Sequence, residues 1–159
     1  MAKVKPIPEG SHSITAGLTV KNARKAIDFY KTAFGATELG TMMAPDGQTV
    51  IHAELKIGDS KFYLGEESRE MEAVSPQTLN GSPVSLNIYT EDCDALFKRA
   101  VSAGATTKMP PTDMFWGDRY GKLVDPFGHH WGIATHKEEV SKPDMDRRMK
   151  EWMAQTARK

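Results

Sequence analysis

The hydrophobic pattern of this chain occurs twice, and that repetition constrains its fold more than any other feature. Ile14-Thr-Ala-Gly-Leu-Thr-Val20 sets Ile14, Ala16, Leu18 and Val20 against Thr15, Gly17 and Thr19, a period of two that reads as a half-buried strand. Asn22 follows as a helix N-cap, and Ala23, Ala26, Ile27, Tyr30, Ala33 and Phe34 recur at helical spacing up to Gly35. Val84-Ser-Leu-Asn-Ile-Tyr89 then starts the alternation again. Glu91-Asp92 opens a second helix with Ala95, Leu96, Ala100 and Val101 as its apolar positions, and Ala103-Gly-Ala-Thr106 closes it as Phe34-Gly-Ala-Thr37 closes the first. Leu18 and Val20 align with Leu86 and Ile88 at an offset of 68, and Ala26-Ile27 and Gly35 with Ala95-Leu96 and Gly104 at 69. The slip falls in the strand-to-helix turn, where insertions are tolerated. Two copies of one supersecondary unit follow.

Each helix is followed by strand patterns. In the first copy these are 36–43, 50–57 and 61–65, punctuated by Ala44-Pro-Asp-Gly47 and Gly58-Asp59-Ser60. In the second they are 106–110, 120–124 and 130–136, the last two separated by Asp125-Pro-Phe-Gly128. The expected class is α+β, with two βαβββ modules. The arm spans 1–13, the domain 14–138 (module one 14–66, linker 67–82, module two 83–138), and an amphipathic C-terminal helix 139–159. In that tail Met145, Met149, Trp152 and Met153 lie at helical spacing, and Ser141 and Asp144 stand in capping-box relation.

Composition excludes some partners. Lys plus Arg is 21 and Asp plus Glu is 21, so no net field draws the chain onto nucleic acid or an anionic membrane. The segment Met1–Glu9 has no apolar core of a signal peptide, and no run of apolar residues is long enough to span a bilayer. Cys93 is the only cysteine, which fits a reducing compartment, and the cytoplasm is the expected location.

The repeat, together with Ala26-Ile-Asp-Phe-Tyr30, His52-Ala-Glu-Leu55, Trp116-Gly-Asp-Arg-Tyr-Gly121 and Asp125-Pro-Phe-Gly-His-His-Trp131, resembles the vicinal oxygen chelate superfamily. That superfamily includes glyoxalase I, bleomycin-resistance proteins and extradiol dioxygenases, and the chain looks closest to its PhnB-like branch. The resemblance covers roughly residues 12–138. It implies mixed sheets that curl around a shared cleft, a homodimer, and a small organic ligand. In metal-dependent members it also implies a divalent ion held on cleft-facing strand positions. Carried over position by position, those places hold Thr15, Glu54, Pro83 (or Ser82) and Gly132. Only Glu54 is a good ligand type, whereas a zinc- or iron-type ion wants three or four. The expectation is no metal cofactor, with an unorthodox site drawn from His12, His52, Glu54, His129, His130 and His136 as the less favoured alternative.

The strand faces opposite the helices carry small and polar residues: Thr15, Gly17 and Thr19; His52, Glu54 and Lys56; Ser85 and Asn87; His130, Gly132 and Ala134. Such a surface is either plain solvent-facing sheet or the lining of a ligand cavity. The apolar sets assigned to the helix side are Ile14/Leu18/Val20, Ile51/Leu55/Ile57 and Val84/Leu86/Ile88. In the loop Asp113–Arg119, Phe115 and Trp116 offer stacking surfaces and Arg119 an anion contact. The plainer alternative makes Trp116 a core anchor and Asp118–Arg119 a local ion pair. Trp131 is expected in the core, and Cys93, flanked by Glu91, Asp92 and Asp94, as an inert thiol.

The candidate ligand-binding residues are therefore Thr15, His52, Glu54, Asn87, Phe115, Trp116, Arg119 and His130, with His52 and Glu54 as candidates for any acid–base catalysis. The leading expectation is a metal-independent protein that sequesters an aromatic or antibiotic-like ligand. The alternative is a glyoxalase-type lyase, isomerase or dioxygenase using Glu54 and nearby histidines with a metal. A third reading is an interaction module whose tail helix matters more than its cleft.

Overall fold

The structure is a computed structural model that describes residues 4–156. The first three residues of the expected arm and the last three of the expected tail helix lie outside the described residues. The chain divides between Ser82 and Pro83 into two compact units.

The first unit runs β1 (Ala16–Val20), α1 (Ala23–Phe34), β2 (Thr37–Met43), β3 (Val50–Ile57), β4 (Ser60–Glu66) and a short α2 (Pro76–Leu79). The sheet order is β1-β4-β3-β2, with β1 parallel to β4 and the other pairs antiparallel. Helix α1 follows from its sequence. The Asn22 side chain accepts from Lys25 N, Gly35 ends the helix in the left-handed region, and Ala23, Ala26, Ile27, Tyr30, Ala33 and Phe34 are all buried. Glu66, at the end of β4, accepts hydrogen bonds from Asn22 N and Ala23 N and so joins the sheet to the start of α1. Phe29, Tyr30, Phe34 and Phe62 pack with ring centroids 5.4–6.1 Å apart, and such pairs add about 0.5–1.5 kcal/mol each beyond area burial.

The second unit repeats the plan with β5 (Ser85–Tyr89), α3 (Cys93–Ser102), β6 (Thr106–Asp113), β7 (Asp118–Val124) and β8 (His130–His136), in the order β5-β8-β7-β6. Asp92 caps α3 by accepting from Ala95 N. Pro110 and Pro111 fall in β6, an edge strand with register shifts, where a missing N–H does least harm. Asp125 is buried and accepts from Phe127 N, His129 N and Trp131 Nε1, which fixes the β7–β8 turn and holds Trp131 in the core. Cys93 is also buried, its thiol donating to Ile133 O and its pKa raised chiefly by burial. Helix α4 (Lys142–Thr156) buries none of its own residues, and no described helix is long and apolar enough to cross a membrane.

Three of the apolar positions assigned to the helix side stand in solvent. Ile14 is 89% exposed and Val84 62%, because each precedes its strand rather than belonging to it. Ile51 is 45% exposed because a register shift between Met42 and Met43 places Val50 in the core slot instead. Within 67–82, expected as a linker or surface loop, lie α2, capped by Ser75 with Pro76 at its first position, and a Ser68–Ala73 bridge.

Candidate functional site

In each unit a helix covers one sheet face and leaves the other open. Alternation assigns Gly17 and Thr19 of β1, Tyr63 and Gly65 of β4, and His52 and Glu54 of β3 to the open face of the first unit. The Ser68–Ala73 segment borders it, and together they line a pocket of about 280 Å³ whose walls include Gly17, Thr19, His52, Tyr63, Gly65 and Met71. The His52 and Tyr63 rings lie 4.9 Å apart at 52° and form one wall. A side chain at Gly65 would meet the Ile51 carbonyl, so β3 and β4 approach this closely only over glycine. Position 17 has open space above it.

The rim of this pocket is tied down by Glu67. Its carboxylate accepts from Ser75 N and Ser75 Oγ at 2.7 Å each and from Thr78 Oγ1 at 2.9 Å. These bonds, Ser75 first, lower its pKa to about 2.

On the second unit the open face carries Ser85, Asn87 and Tyr89 of β5, His130, Gly132 and His136 of β8, and Asp118, Tyr120 and Lys122 of β7. Asp118 is a buried hub. Tyr89 Oη and Trp116 Nε1 donate to its Oδ2 at 2.9 and 3.0 Å, and His136 Nδ1 lies 2.8 Å from its Oδ1. Burial alone would raise the Asp118 carboxyl, but the bonds from His136, Tyr89 and Trp116 outweigh it and hold the pKa below the usual range. The Tyr120 hydroxyl donates to Asn87 Oδ1 at 3.3 Å.

The expected site residues divide between the two units. Thr15 stands ahead of β1 and lines no part of the pocket. His52 does line it, whereas Glu54 sits further along β3 in an ion pair of 2.8 Å with Lys61. Asn87 and His130 lie on the open face of the second unit. Phe115 packs between Trp116 and Trp152, with centroids 5.0 and 5.6 Å away, and Trp116 leans on Tyr120 at 5.8 Å. Arg119 lies on the helix side of β7, where Asp94 of α3 and Asp113 hold it and raise its pKa. It does not pair with Asp118, because neighbouring residues of a strand face opposite ways. Sequence reading missed Tyr63, Met71, Tyr120 and Lys122. Strand alternation with Phe62/Leu64 and with Leu123 was the signal for three of them; nothing marked Met71.

The four positions that the resemblance implies for a metal do not assemble a ligand set. By register, Leu18 pairs with Leu64 and Thr19 with Gly65, as Leu86 pairs with Trp131 and Asn87 with Gly132. The repeat counterpart of Gly132 is therefore Gly65, and Glu54 stands on a different strand of its module. Both counterpart positions are glycines. At Gly132 a β-carbon would collide with Asn87 Oδ1 and lie 2.6 Å from the Tyr120 hydroxyl, so the space of a ligand side chain is filled. Among the described residues no three His, Cys, Asp or Glu side chains form a group that could hold an ion. These residues do not fit a zinc- or iron-type centre.

Comparison with known proteins adds ancestry to this geometry. A family model described as the Glyoxalase/Bleomycin resistance protein/Dioxygenase superfamily matches residues 12–133. The uncharacterized protein Rv0887c of Mycobacterium tuberculosis is 40% identical over 140 residues, which span 86% of this chain and 82% of that protein. The solved structure of the Arabidopsis thaliana gene product At5g48480 aligns with a TM-score of 0.63 at 30% identity, over 78% of this chain and 98% of that one. A Bacillus cereus PhnB protein, described as a putative 3-demethylubiquinone-9 3-methyltransferase, aligns at 0.62 with 20% identity over 78% and 99% of the two chains, a likeness of fold alone.

Proposed function

The chain belongs to the glyoxalase/bleomycin resistance protein/dioxygenase superfamily, with a PhnB protein among its structural neighbours, and from that membership we propose that it is a metal-independent binder of a small planar organic molecule. The observation that carries the reading is the pocket over Gly17 and Gly65, walled by the His52 and Tyr63 rings. Its volume of about 280 Å³ is near the lower end of ligand sites, which favours a single-ring or fused-ring molecule over a large one. Two glycines give a flat floor and two rings give a stacking wall. No reaction step is assigned: among the described residues that line the pocket, no nucleophile is hydrogen-bonded to a side-chain base.

Cytoplasmic residence belongs to the same proposal, supported by the free, buried Cys93. So does a homodimer, supported by the exposed Met149, Trp152 and Met153 of α4 and testable by sedimentation.

The test is ligand-observed NMR on chelator-treated full-length protein with a set of small neutral aromatics such as indole, naphthol and quinoline. Binding of at least one, weakened ten-fold or more by Tyr63→Ala and unchanged by added zinc or manganese, supports the proposal. Failure of the whole set to bind, or binding only after metal is restored, overturns it.

A further inference from the structure

Helix α4 holds an acid and a base, four residues apart, that its other ion pairs leave aside. Arg147 pairs with Asp144 at 3.1 Å and with Glu151 at 3.2 Å, within the helix. Arg148 reaches back to Glu138, just after β8, through bonds of 2.6 and 2.8 Å. Asp146 and Lys150 are exposed, and among the described residues neither forms an ion pair, with the other or with any third group.

The helix has a docked flank and a bare one. At about 100° per residue, Arg148 and Trp152 fall to one side of Met149, and Met153, Asp146 and Lys150 to the other. The first side is held by its own unit, since the Trp152 ring leans on Phe115 at 5.6 Å beside the Arg148–Glu138 bonds. The second stands in solvent, with Met149 37% and Met153 57% exposed. Apolar side chains flanked by an acid and a base one turn apart are what a helix presents to another helix. The order of the charges says which helix. In an antiparallel pair related by a two-fold axis, bare flank meets bare flank, so Asp146 faces the partner's Lys150 and Lys150 faces the partner's Asp146. An axis at the level of residue 148 sets both pairs level and leaves the two Met149 side chains about 3 Å apart along the helix. A parallel pair offers no such exchange, because the bare flank of one helix then meets the docked flank of the other.

We propose that the bare face of α4 packs antiparallel on the same face of a second copy of this chain, Met149 against the partner's Met149 and Asp146 against the partner's Lys150. The inference rests on the homodimer proposed above and says which surface makes it. Helix α4 begins at Lys142, past residue 133 where the family match ends, so the contact belongs to this chain's tail and not to the domain that precedes it. Each two-fold pair of helices forms two ion pairs at once, and it buries methionines whose flexible side chains adapt to one another.

The experiment is sedimentation equilibrium on the full chain and on variants at these exposed positions, each with a wild-type melting curve. The wild type is expected to dimerise, and Met149→Asp to raise the dissociation constant about ten-fold or more, because it buries a charge at the centre of the contact. Asp146→Lys alone and Lys150→Asp alone each set like charges face to face twice, and each should weaken the dimer about five-fold. The two changes together restore the exchange with its signs reversed and should return the constant to within about two-fold of the wild type. A double variant no tighter than the single ones, or an undiminished dimer in Met149→Asp, would overturn the α4 contact while leaving the homodimer standing on another surface. A wild-type chain that stays monomeric at high micromolar concentration would overturn both.

Discussion

Glu54 Oε1 lies 2.8 Å from Lys61 Nζ across the β3–β4 pair, so the one carboxylate that the family pattern offers to a metal already faces a cation. The two side chains are about a quarter exposed, at 31% and 22%, and a pair this accessible is worth at most about 1 kcal/mol. Glu54→Gln is expected to lower stability by less than about 1 kcal/mol and to leave the thermal response to zinc or manganese unchanged. Thermal melts with and without each ion check this. A metal-dependent rise in melting temperature that disappears in Glu54→Gln would place an ion at this carboxylate.

The two ring nitrogens of His136 each face a carboxylate, Asp118 at 2.8 Å and Glu139 at 3.2 Å, which suits the doubly protonated ring. Its pKa is raised, first by the bond to Asp118 and then by that to Glu139. A group whose folded pKa lies above its unfolded value, about 6.5, contributes fully below that value and loses its contribution as pH rises through the folded one. The melting-temperature difference between the wild type and His136→Gln should therefore be larger at pH 5.5 than at pH 9. A difference that does not change across this range would show that the ring gains nothing from its two neighbours.

Glu67 gives the opposite sign. Its pKa falls to about 2 through the bonds from Ser75 and Thr78, so its contribution is complete above the unfolded value of about 4.3 and is lost as pH drops toward 2. Because those bonds anchor the end of the segment that rims the first pocket, Glu67→Ala should speed hydrogen exchange across 68–79 and weaken aromatic ligands several-fold. Exchange rates that match the wild type in that segment would show that the rim is held by something else.

The repeat, both helices, their caps and β8 were legible because local alternation, helical spacing and capping residues act within a few positions of one another. Register shifts were not. One extra residue of β3, Ile51, stands opposite the Met42–Met43 step and leaves Val50 in the core in its place, and nothing in the run of 50–57 announces it. The candidate site was legible as a face but not as a set of partners. His52 and Asn87 could be placed opposite the helices from alternation alone. That Lys61 occupies Glu54, that Asp94 and Asp113 occupy Arg119, and that Tyr120 covers Gly132 depend on which strands are neighbours.

Gly117 is the position where one methyl group should cost most in the second unit. Its φ is +98°, outside the usual range of L side chains, and a β-carbon there would run into the Glu138 carbonyl and lie 2.9 Å from Val140 Cγ2. The same residue's carbonyl accepts from Lys137 N and Glu138 N, so the 137–138 segment cannot retreat without losing both bonds. Gly47 supplies the control, because its φ is +69° but nothing lies within 4 Å of the added carbon. Gly47→Ala should cost only the left-handed backbone conformation, about 1–2 kcal/mol, whereas Gly117→Ala adds a collision with backbone and should cost about 2–4 kcal/mol. Glu138 also holds Arg148 of α4 through two bonds of 2.6 and 2.8 Å, so the loss should reach that helix. Urea unfolding gives the two costs, and hydrogen exchange over 137–150 gives their location. Equal costs for the two variants would mean that the 137–138 segment yields freely and that Gly117 matters for its dihedral angles alone.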